Sequence, residues 1–382
     1  MRKSELKVMT ILGTRPEIIR LSRVMAALEI HCNHVLVHTG QNYDFELNEV
    51  FFNDLGVRKP DHFLGVDTSS LGATVGEIIT ESERVLRAES PDAVLILGDT
   101  NSAVSAYMAR RMKIPVYHME AGNRCFDRNV PEETNRKMVD HLADFNLAYT
   151  EHARRNLLAE GLHPRRTYLT GSPMREVLEH YRAEIESSTV LTTLKLEPGE
   201  FILASLHREE NVDNPVILAD IVKAFNVLSE QYQCPIIVST HPRTRKQLEA
   251  RDIKTDGDRI LWMKPFGFHD YNHLQQNAKC VISDSGTIAE ESSILGFPAI
   301  TPRFSIERPE AMDTGAIIAC GVSENSIVDA VQLAISNASN AKGDSRSNSA
   351  VPADYCIDNT SQRVINLIIG TARISNDWDG IR

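Results

Sequence analysis

The sequence predicts an α/β protein made of two doubly wound domains, each with a parallel sheet that helices cover on both faces. The chain has 382 residues, which is more than one compact core usually supports. Short apolar segments alternate with amphipathic segments along its whole length, and this alternation is typical of parallel sheets. Two sets of such segments predict two domains.

The strand candidates fall into one set in each half of the chain. In the first half they are residues 7–12, 34–38, 93–97, 115–118, 145–149 and 167–169. In the second half they are residues 201–206, 235–239, 260–263, 280–283, 297–301 and 315–319. Amphipathic patterns between them predict helices, for example at residues 17–28, 71–88 and 216–232.

The domain boundary is predicted at the breaker cluster GSP, residues 171–173, between the last strand of the first set and a new helix. We therefore expect an N-terminal domain of residues 1–171 and a C-terminal domain of residues 172–382. The final helix, at about residues 361–378, is a candidate for packing back on the N-terminal domain. Residues 336–350 are rich in Ser and Asn and predict a surface loop.

Composition argues against several classes of partner. The formal net charge of −11 is unsuited to a broad interface with nucleic acid or an anionic membrane. No apolar stretch approaches the roughly 20 residues that a bilayer crossing needs. The basic, then apolar, N-terminus runs into Thr-Arg-Pro-Glu rather than a signal-peptide cleavage site. The six cysteines form no CxxC pair, so we expect a cytoplasmic protein without a metal site.

Polar residues follow the strands of the first half, where open parallel sheets bind ligands. Arg15, in the segment GTRPE after the first strand, is placed to clamp a phosphate, although a surface turn explains it equally well. Asp99 and Glu120 each follow a later strand, and Glu132 opens a helix, where it could also serve only the helix dipole. Crowded carboxylates raise one another's pKa, which provides a proton donor and an acceptor near neutrality.

The second half offers complementary groups at its strand ends. His207 and His241 follow two strands, although a structural role remains open for either residue. Ser285 and Gly286 form a turn before a helix, a combination that binds anions. Arg308 is a further basic residue near a strand end.

Motifs for redox cofactors are missing from the sequence. There is no GxGxxG after the first strand, no GxxxxGK[ST], and no tyrosine followed four residues later by lysine. We therefore expect acid/base chemistry on a phosphate-bearing ligand, with no bound cofactor.

Six motifs in order resemble those of the non-hydrolysing UDP-N-acetylglucosamine 2-epimerases. They are GTRPE, GDT, HMEAG with a following PEETNR, HREEN, SDSGT with a following EE, and ERPE. The resemblance implies two Rossmann-like domains that face a central cleft, as in the GT-B fold. It also implies a homodimer, a UDP-linked acetamido sugar as the ligand, and no cofactor.

A narrower resemblance is to the UDP-N-acetyl-L-fucosamine synthases of capsule and O-antigen pathways. The segments HTGQNYDFELNEVFF, EAGNRCFDRNVPEE, LHREENVDN, STHPR and KPFGFHDYN carry it. It implies conversion of UDP-2-acetamido-2,6-dideoxy-L-talose into UDP-N-acetyl-L-fucosamine. The glucosamine enzymes have a Gln-His pair near an allosteric site, where this chain has QNYD at residues 41–44. That departure favours the 6-deoxy-sugar branch.

The resemblance also implies roles for individual residues. Those matching catalytic positions are Asp99, Glu120, Glu132 and His207. Those matching UDP-binding positions are Arg15, Arg136, His241, Ser285, Gly286 and Glu291, with Glu291 on the ribose and uracil near Phe266. We add Arg308 as a candidate for binding substrate.

Three other functions remain open at this point. The parent activity, interconversion of UDP-N-acetylglucosamine and UDP-N-acetylmannosamine, uses the same chemistry. A GT-B glycosyltransferase would need an acceptor and no base at C2, so the carboxylate segments argue against it. A silent nucleotide-sugar binding protein would not need these acid/base residues.

Overall fold

The computed structural model describes residues 3–41, 52, 54–251, 259–341 and 351–381. The chain forms two compact units, one of Met1–His180 with Cys356–Arg382 and one of Tyr181–Tyr355. The first unit thus extends nine residues beyond the predicted boundary at residue 171, and it also includes residues 356–382. Each unit contains one sheet in which every pairing is parallel.

The first unit has a seven-stranded sheet in the order β3-β2-β1-β4-β5-β6-β7. Its strands are β1 Lys7–Leu12, β2 Asn33–His38, β3 His62–Phe63, β4 Ala93–Leu97, β5 Val116–Met119, β6 Phe145–Ala148 and β7 Thr167–Leu169. Its helices are α1 Arg15–His31, α2 Leu71–Glu89, α3 Ala106–Arg111, α4 Pro131–Leu142, α5 Glu151–Ala159 and α6 Met174–His180. Short 3₁₀ segments span Asn101–Ser105 and Pro164–Arg166.

The second unit has a six-stranded sheet in the order β10-β9-β8-β11-β12-β13. Its strands are β8 Ile202–Leu206, β9 Ile236–Thr240, β10 Ile260–Met263, β11 Cys280–Ser283, β12 Ala299–Pro302 and β13 Ile318–Cys320. Its helices are α7 Arg182–Glu186, α8 Val190–Leu194, α9 Glu209–Val212, α10 Pro215–Tyr232, α11 Pro242–Ala250, α12 Phe268–Asn277, α13 Ile288–Leu295, α14 Pro309–Asp313 and α15 Glu324–Ala341. A 3₁₀ segment, Ala353–Cys356, leads out of it.

The last two helices, α16 Thr360–Thr371 and α17 Ser375–Trp378, belong to the first unit. The Thr360 hydroxyl donates to the carbonyls of Thr170 and Ser172, at 3.2 and 3.1 Å. At the other end of α16, the hydroxyls of Tyr117 and Thr371 lie 2.6 Å apart. These bonds attach α16 to the sheet of the first unit at both ends.

Burial explains why the central strands are mostly apolar. All residues of β4 are buried, as are five of the six in β1, because helices cover both faces of the sheet. Every predicted strand is present, with ends shifted by at most three residues. Strand β3 is additional, since two residues give no detectable alternation.

One sequence prediction is wrong in part. The loop expected at residues 336–350 begins later, because α15 continues to Ala341. Ser and Asn on the solvent side do not end a helix whose other face buries Ile327, Val331 and Ala334. Residues 342–350 lie outside the described residues. Within the described ranges, no helix combines the length and apolar character that a bilayer crossing requires.

Candidate active site

The predicted acid/base residues of the first unit follow neighbouring parallel strands. Asp99 lies just beyond β4 and Glu120 just beyond β5, and these two strands pair directly. A methyl group placed on Gly98 would lie 3.8 Å from the Glu120 carboxylate. The structure therefore brings the Glu120 carboxylate next to the residue that precedes Asp99.

Asp99 is held by an arginine of α4. Arg136 donates from Nε and from one terminal nitrogen to Asp99 Oδ2, at 3.0 and 2.7 Å. Its other terminal nitrogen donates to Glu133 at 2.9 Å. Arg136, which the resemblance assigns to UDP binding, is buried here between two carboxylates of its own unit. Arg136 therefore fixes the position of the Asp99 carboxylate through these two hydrogen bonds.

Glu120 has a left-handed backbone, with φ of 64°. A non-glycine residue in this conformation costs on the order of 1–3 kcal/mol, and such residues cluster at functional sites. Its carboxylate contacts the buried Arg20 guanidinium and accepts from the Asn123 amide at 3.2 Å. The strained backbone and these two donors together orient the carboxylate.

Arg15 and Glu132 both lie in the first turn of a helix. Arg15 is in the first turn of α1 and Glu132 in the first turn of α4, and both are partly exposed. A proline begins the first turn of α4 and follows Arg15 in α1, where its missing N–H costs nothing. Both side chains therefore start helices that follow sheet strands.

Glu17 is a site residue that the sequence interpretation left without a role. It is buried and accepts from Gly13 N–H and the Thr14 hydroxyl, at 3.0 and 2.7 Å. It also accepts from the hydroxyls of Thr100 and Ser102. Burial raises its pKa to about 7, although these hydrogen bonds act in the opposite direction. Glu17 joins the loop after β1 to the loop that carries Asp99.

In the second unit, His207 is oriented by a buried carboxylate. Asp284 follows β11, accepts from the backbone N–H groups of His207 and Arg208, and lies 3.0 Å from His207 Nδ1. Burial alone would raise the pKa of Asp284, but the His207 charge and these hydrogen bonds lower it to about 2. The His207 side chain is 43% exposed. Sequence analysis missed this partner because 77 residues separate the two.

The Ser285-Gly286 turn lies beside a guanidinium. Ser285 and Thr287 share a hydroxyl hydrogen bond of 2.9 Å ahead of α13. A methyl group on Gly286 would lie 3.8 Å from a terminal nitrogen of Arg208, which donates from Nε to the Asp284 carbonyl at 3.1 Å. A helix N-terminus with a fixed arginine suits a diphosphate. Arg208 was not among the predicted residues.

The remaining nucleotide-binding candidates have identifiable local partners. Glu291 is buried and accepts from the Gln275 amide at 2.7 Å. His241 caps α11, accepting from Arg243 N–H at 3.3 Å. Phe266 packs, partly buried, against the core.

Arg308 follows β12 and has a buried acidic neighbour. Its side chain is only 4% exposed and lies 3.1 Å from the buried Glu290. Removing either member of an ion pair that is buried this deeply is destabilising, since it leaves the other charge buried without compensation. The structure therefore gives Arg308 a partner inside the second unit.

The described residues form neither a metal-binding cluster nor a disulfide. Among the described residues, no group of three or more His, Cys, Asp or Glu side chains is arranged to hold a metal ion. All six cysteines are free thiols.

Comparison with known proteins identifies the family. The family model described as UDP-N-acetylglucosamine 2-epimerase matches residues 26–369. The UDP-N-acetylglucosamine 2-epimerase of Methanocaldococcus jannaschii is 36% identical over 345 residues, covering 88% of this chain and 94% of that protein. The UDP-2,3-diacetamido-2,3-dideoxy-D-glucuronate 2-epimerase of Pseudomonas aeruginosa is 33% identical over 335 residues, covering 86% and 92%.

Solved structures agree with this result. The UDP-N-acetylglucosamine 2-epimerase of Rickettsia bellii is 44% identical, with a TM-score of 0.90 and coverage of 98% of each chain. UGT2 of Phytolacca americana is only 12% identical, with a TM-score of 0.59 and coverage of 97% and 100%, a likeness of fold alone. The two α/β units therefore have a GT-B-like fold, as expected. From the extent of these matches, the chain belongs to the UDP-N-acetylglucosamine 2-epimerase family.

Proposed function

We propose that this chain inverts C2 of a UDP-linked 2-acetamido sugar, with UDP-2-acetamido-2,6-dideoxy-L-talose as the substrate and UDP-N-acetyl-L-fucosamine as the product. The observation that carries the proposal is the set of oriented carboxylates in the first unit. Asp99 is held by Arg136, and Glu120 by Arg20 and Asn123. A glycosyl transfer to an acceptor would need no such acid/base set next to C2.

The chemistry must overcome the low acidity of the C2 hydrogen, since no carbonyl is attached to C2. In the proposed reaction the C1–O bond breaks first, and UDP leaves with the bonding electron pair. Positive charge at C1 then makes the C2 proton removable. Loss of that proton gives a neutral 2-acetamidoglycal, and UDP remains bound.

The second unit is suited to stabilise the departing diphosphate. Arg208 and the Ser285-Gly286 turn supply a guanidinium and helix N–H groups. His207, with its Nδ1 beside Asp284, is fixed in orientation and can donate a proton to the leaving oxygen. Glu291, held by Gln275, is the proposed acceptor for the ribose hydroxyls.

The first unit is suited to move the proton. We assign Asp99, Glu120 and Glu132 to removal of the C2 proton on one face and its return on the other. Return of UDP to C1 then closes the cycle with C2 inverted. No proton or electron is gained or lost overall, so no co-reactant is needed.

Residues beside these carboxylates support the 6-deoxy-sugar branch. Asn123 donates to Glu120 at 3.2 Å, and the Cys125 thiol lies 3.2 Å from Glu133. Asn123, Cys125 and Phe126 belong to the segment EAGNRCFDRNVPEE, so part of the resemblance to the fucosamine synthases falls beside the acid/base groups. Residues 42–45, in the other segment that carries this resemblance, lie outside the described residues.

A second candidate is the interconversion of UDP-N-acetylglucosamine and UDP-N-acetylmannosamine. It is favoured by the names of the Methanocaldococcus and Rickettsia relatives. The Pseudomonas relative is named for a different sugar, so family membership alone does not choose between the substrates.

Deuterium incorporation tests the proposal. The protein is incubated in D₂O with each UDP-sugar separately, and C2 labelling and configuration are read by NMR. We expect label and inversion with the 6-deoxy-L-talo substrate. Label only from UDP-N-acetylglucosamine would select the second candidate, and no label from either would refute epimerisation.

A matched pair of variants on β4 sharpens this test. Asp99→Asn should slow labelling by about 10²–10⁴-fold, the usual contribution of a general acid or base. Asp92→Asn, at the opposite end of the same strand, should leave it unchanged. Full turnover by Asp99→Asn would remove Asp99 from the scheme.

A further inference from the structure

A fully buried histidine lies behind the two carboxylate turns of the first unit. His118 is on β5, and neither it nor Asp140 of α4 is exposed. His118 Nε2 lies 2.7 Å from the Gly98 carbonyl, and Nδ1 lies 2.9 Å from Asp140 Oδ1. The Gly98 carbonyl is part of the peptide group that leads into Asp99. His118 therefore connects α4 to the Asp99 turn through the sheet.

The two contacts favour the protonated form of the ring. A backbone carbonyl can only accept, so Nε2 must carry a hydrogen. Nδ1 lies beside the Asp140 carboxylate, and a negative charge at that distance favours the protonated ring. Burial opposes this charged form, but Asp140 and the Gly98 carbonyl outweigh it and raise the pKa of His118, with a smaller contribution from Asp99.

Asp140 extends the connection to the second turn. It accepts from Gly122 N–H at 3.1 Å and from Arg124 at 2.7 Å. The Arg124 side chain is itself buried and makes two hydrogen bonds to Glu160 at the end of α5, at 2.7 and 2.6 Å. Asp140 therefore joins His118 to the backbone just after Glu120.

The backbone of the Glu120 turn is strained, because Glu120 adopts a left-handed conformation that Gly98 and Gly122 adopt freely. Gly98, Glu120 and Gly122 have φ values of 72°, 64° and 84°. The left-handed Glu120 lies between His118 and Gly122, the two points that Asp140 holds. Strained conformations of this kind persist only when surrounding contacts over-determine them.

We propose that His118, Asp140 and Arg124 form a positioning unit that holds the Asp99 and Glu120 turns in register for the proposed epimerisation. None of the three needs to touch substrate. The inference rests on the proposed function for its catalytic consequence, but its structural part can be measured without turnover.

Buried charge alone would not explain this arrangement. Paired buried charges are a weak source of stability, because desolvation offsets their attraction. His34 of β2 provides a comparison within the same sheet, since it is also buried, with Glu29 at 2.6 Å and Thr10 at 2.9 Å. It contacts neither carboxylate turn, so His34→Gln is a matched control for loss of a buried histidine.

The test compares the full-length wild type with His118→Gln, Asp140→Asn, their double variant and His34→Gln. We expect each of the first two to lower kcat about 100-fold, the cost of misplacing reacting groups by about 1 Å. KM should change much less than kcat, because most of the proposed nucleotide contacts, such as Ser285, Gly286 and Glu291, lie in the second unit. The double variant should be no slower than the slower single, as for residues that act as one unit.

Hydrogen exchange provides the readout that needs no activity. In His118→Gln and Asp140→Asn, the amides of residues 120–124 should exchange at least 10-fold faster, and His34→Gln should match the wild type there. If one variant fails to fold, the other still gives both measurements.

Two kinds of result overturn the proposal. One is unchanged exchange at residues 120–124, and the other is a kcat within twofold of wild type in a folded variant. Equal kcat losses in His34→Gln, or additive losses in the double variant, would also contradict the proposal. They would show that the substitutions lower kcat through a general loss of stability. A wild type without turnover but with the expected exchange pattern would refute the proposed function and leave the positioning unit standing.

Discussion

The pKa of Glu17 leads to a prediction about stability. This buried acid has a pKa of about 7, against 4.5 for an unperturbed group. As pH rises, the unfolded chain therefore loses this proton first, and the folded chain holds more protons between the two values. Stability contributed by the group is full below about pH 4.5 and is lost as pH rises through 7.

The magnitude follows from the two pKa values. One unit corresponds to about 1.4 kcal/mol, so the whole shift is worth about 3 kcal/mol, of which about 2.5 kcal/mol falls between pH 5 and pH 8. Glu17→Gln is neutral at every pH and escapes this loss. Relative to wild type, the variant should therefore gain about 2.5 kcal/mol over that range. Its altered hydrogen bonds add an offset that does not depend on pH.

The assay must report on the first unit alone. The chain has two tryptophans, Trp262 in the second unit and Trp378 in the first. A Trp262→Phe background leaves Trp378 fluorescence as the probe for urea unfolding at pH 5, 6, 7 and 8. Glu83→Gln, on an exposed face of α2, is the control and should show a flat difference.

A particular outcome would refute this reasoning. If the stability difference between Glu17→Gln and its parent stayed constant within about 0.5 kcal/mol from pH 5 to pH 8, Glu17 would not be a neutral acid in the folded state.

Three further predictions concern other parts of the chain. Asp284→Asn should lower kcat about 100-fold or more, because His207 loses its orienting charge; wild-type rates in the NMR assay would contradict this. Gly122→Ala should destabilise the first unit by more than about 2 kcal/mol, because φ is 84° and a methyl group would lie 2.2 Å from the Ala153 carbonyl; a smaller loss in urea unfolding would show that the turn relaxes. Arg87→Gln removes only an exposed ion pair and should change stability by less than about 0.5 kcal/mol. A larger change in the same assay would show that Arg87 contributes more to stability than an exposed ion pair does.

Much of the fold could be predicted because its causes are local. Strands buried on both faces are continuous apolar runs, so β4 and β8 stand out from the sequence alone. Motifs that follow β4, β5 and β8 placed Asp99, Glu120 and His207 just beyond the carboxyl ends of these strands. Strand β3 escaped because it is short and half-exposed.

The partners of these residues could not be predicted, because they come from distant parts of the chain. Asp284 is assigned only once β8 and β11 are known to be neighbours. Glu17 has an unusual pKa because loops after β1 and β4 close over it. Likewise, Arg308 resembles a surface residue until Glu290 is seen beside it. The sequence identifies these ionisable side chains, but their partners and pKa values depend on tertiary packing.

The return of α16 to the first unit has a consequence for synthesis on the ribosome. About 175 residues, Tyr181–Tyr355, are translated between the two parts of that unit. At about 5–20 residues per second, the nascent first unit waits roughly 10 to 35 seconds for its last helix. During that time the Thr170 and Ser172 carbonyls and the Tyr117 hydroxyl lack the hydrogen-bond partners that α16 later provides. The emerging chain therefore exposes an incomplete surface that a chaperone could recognise until α16 has been synthesised.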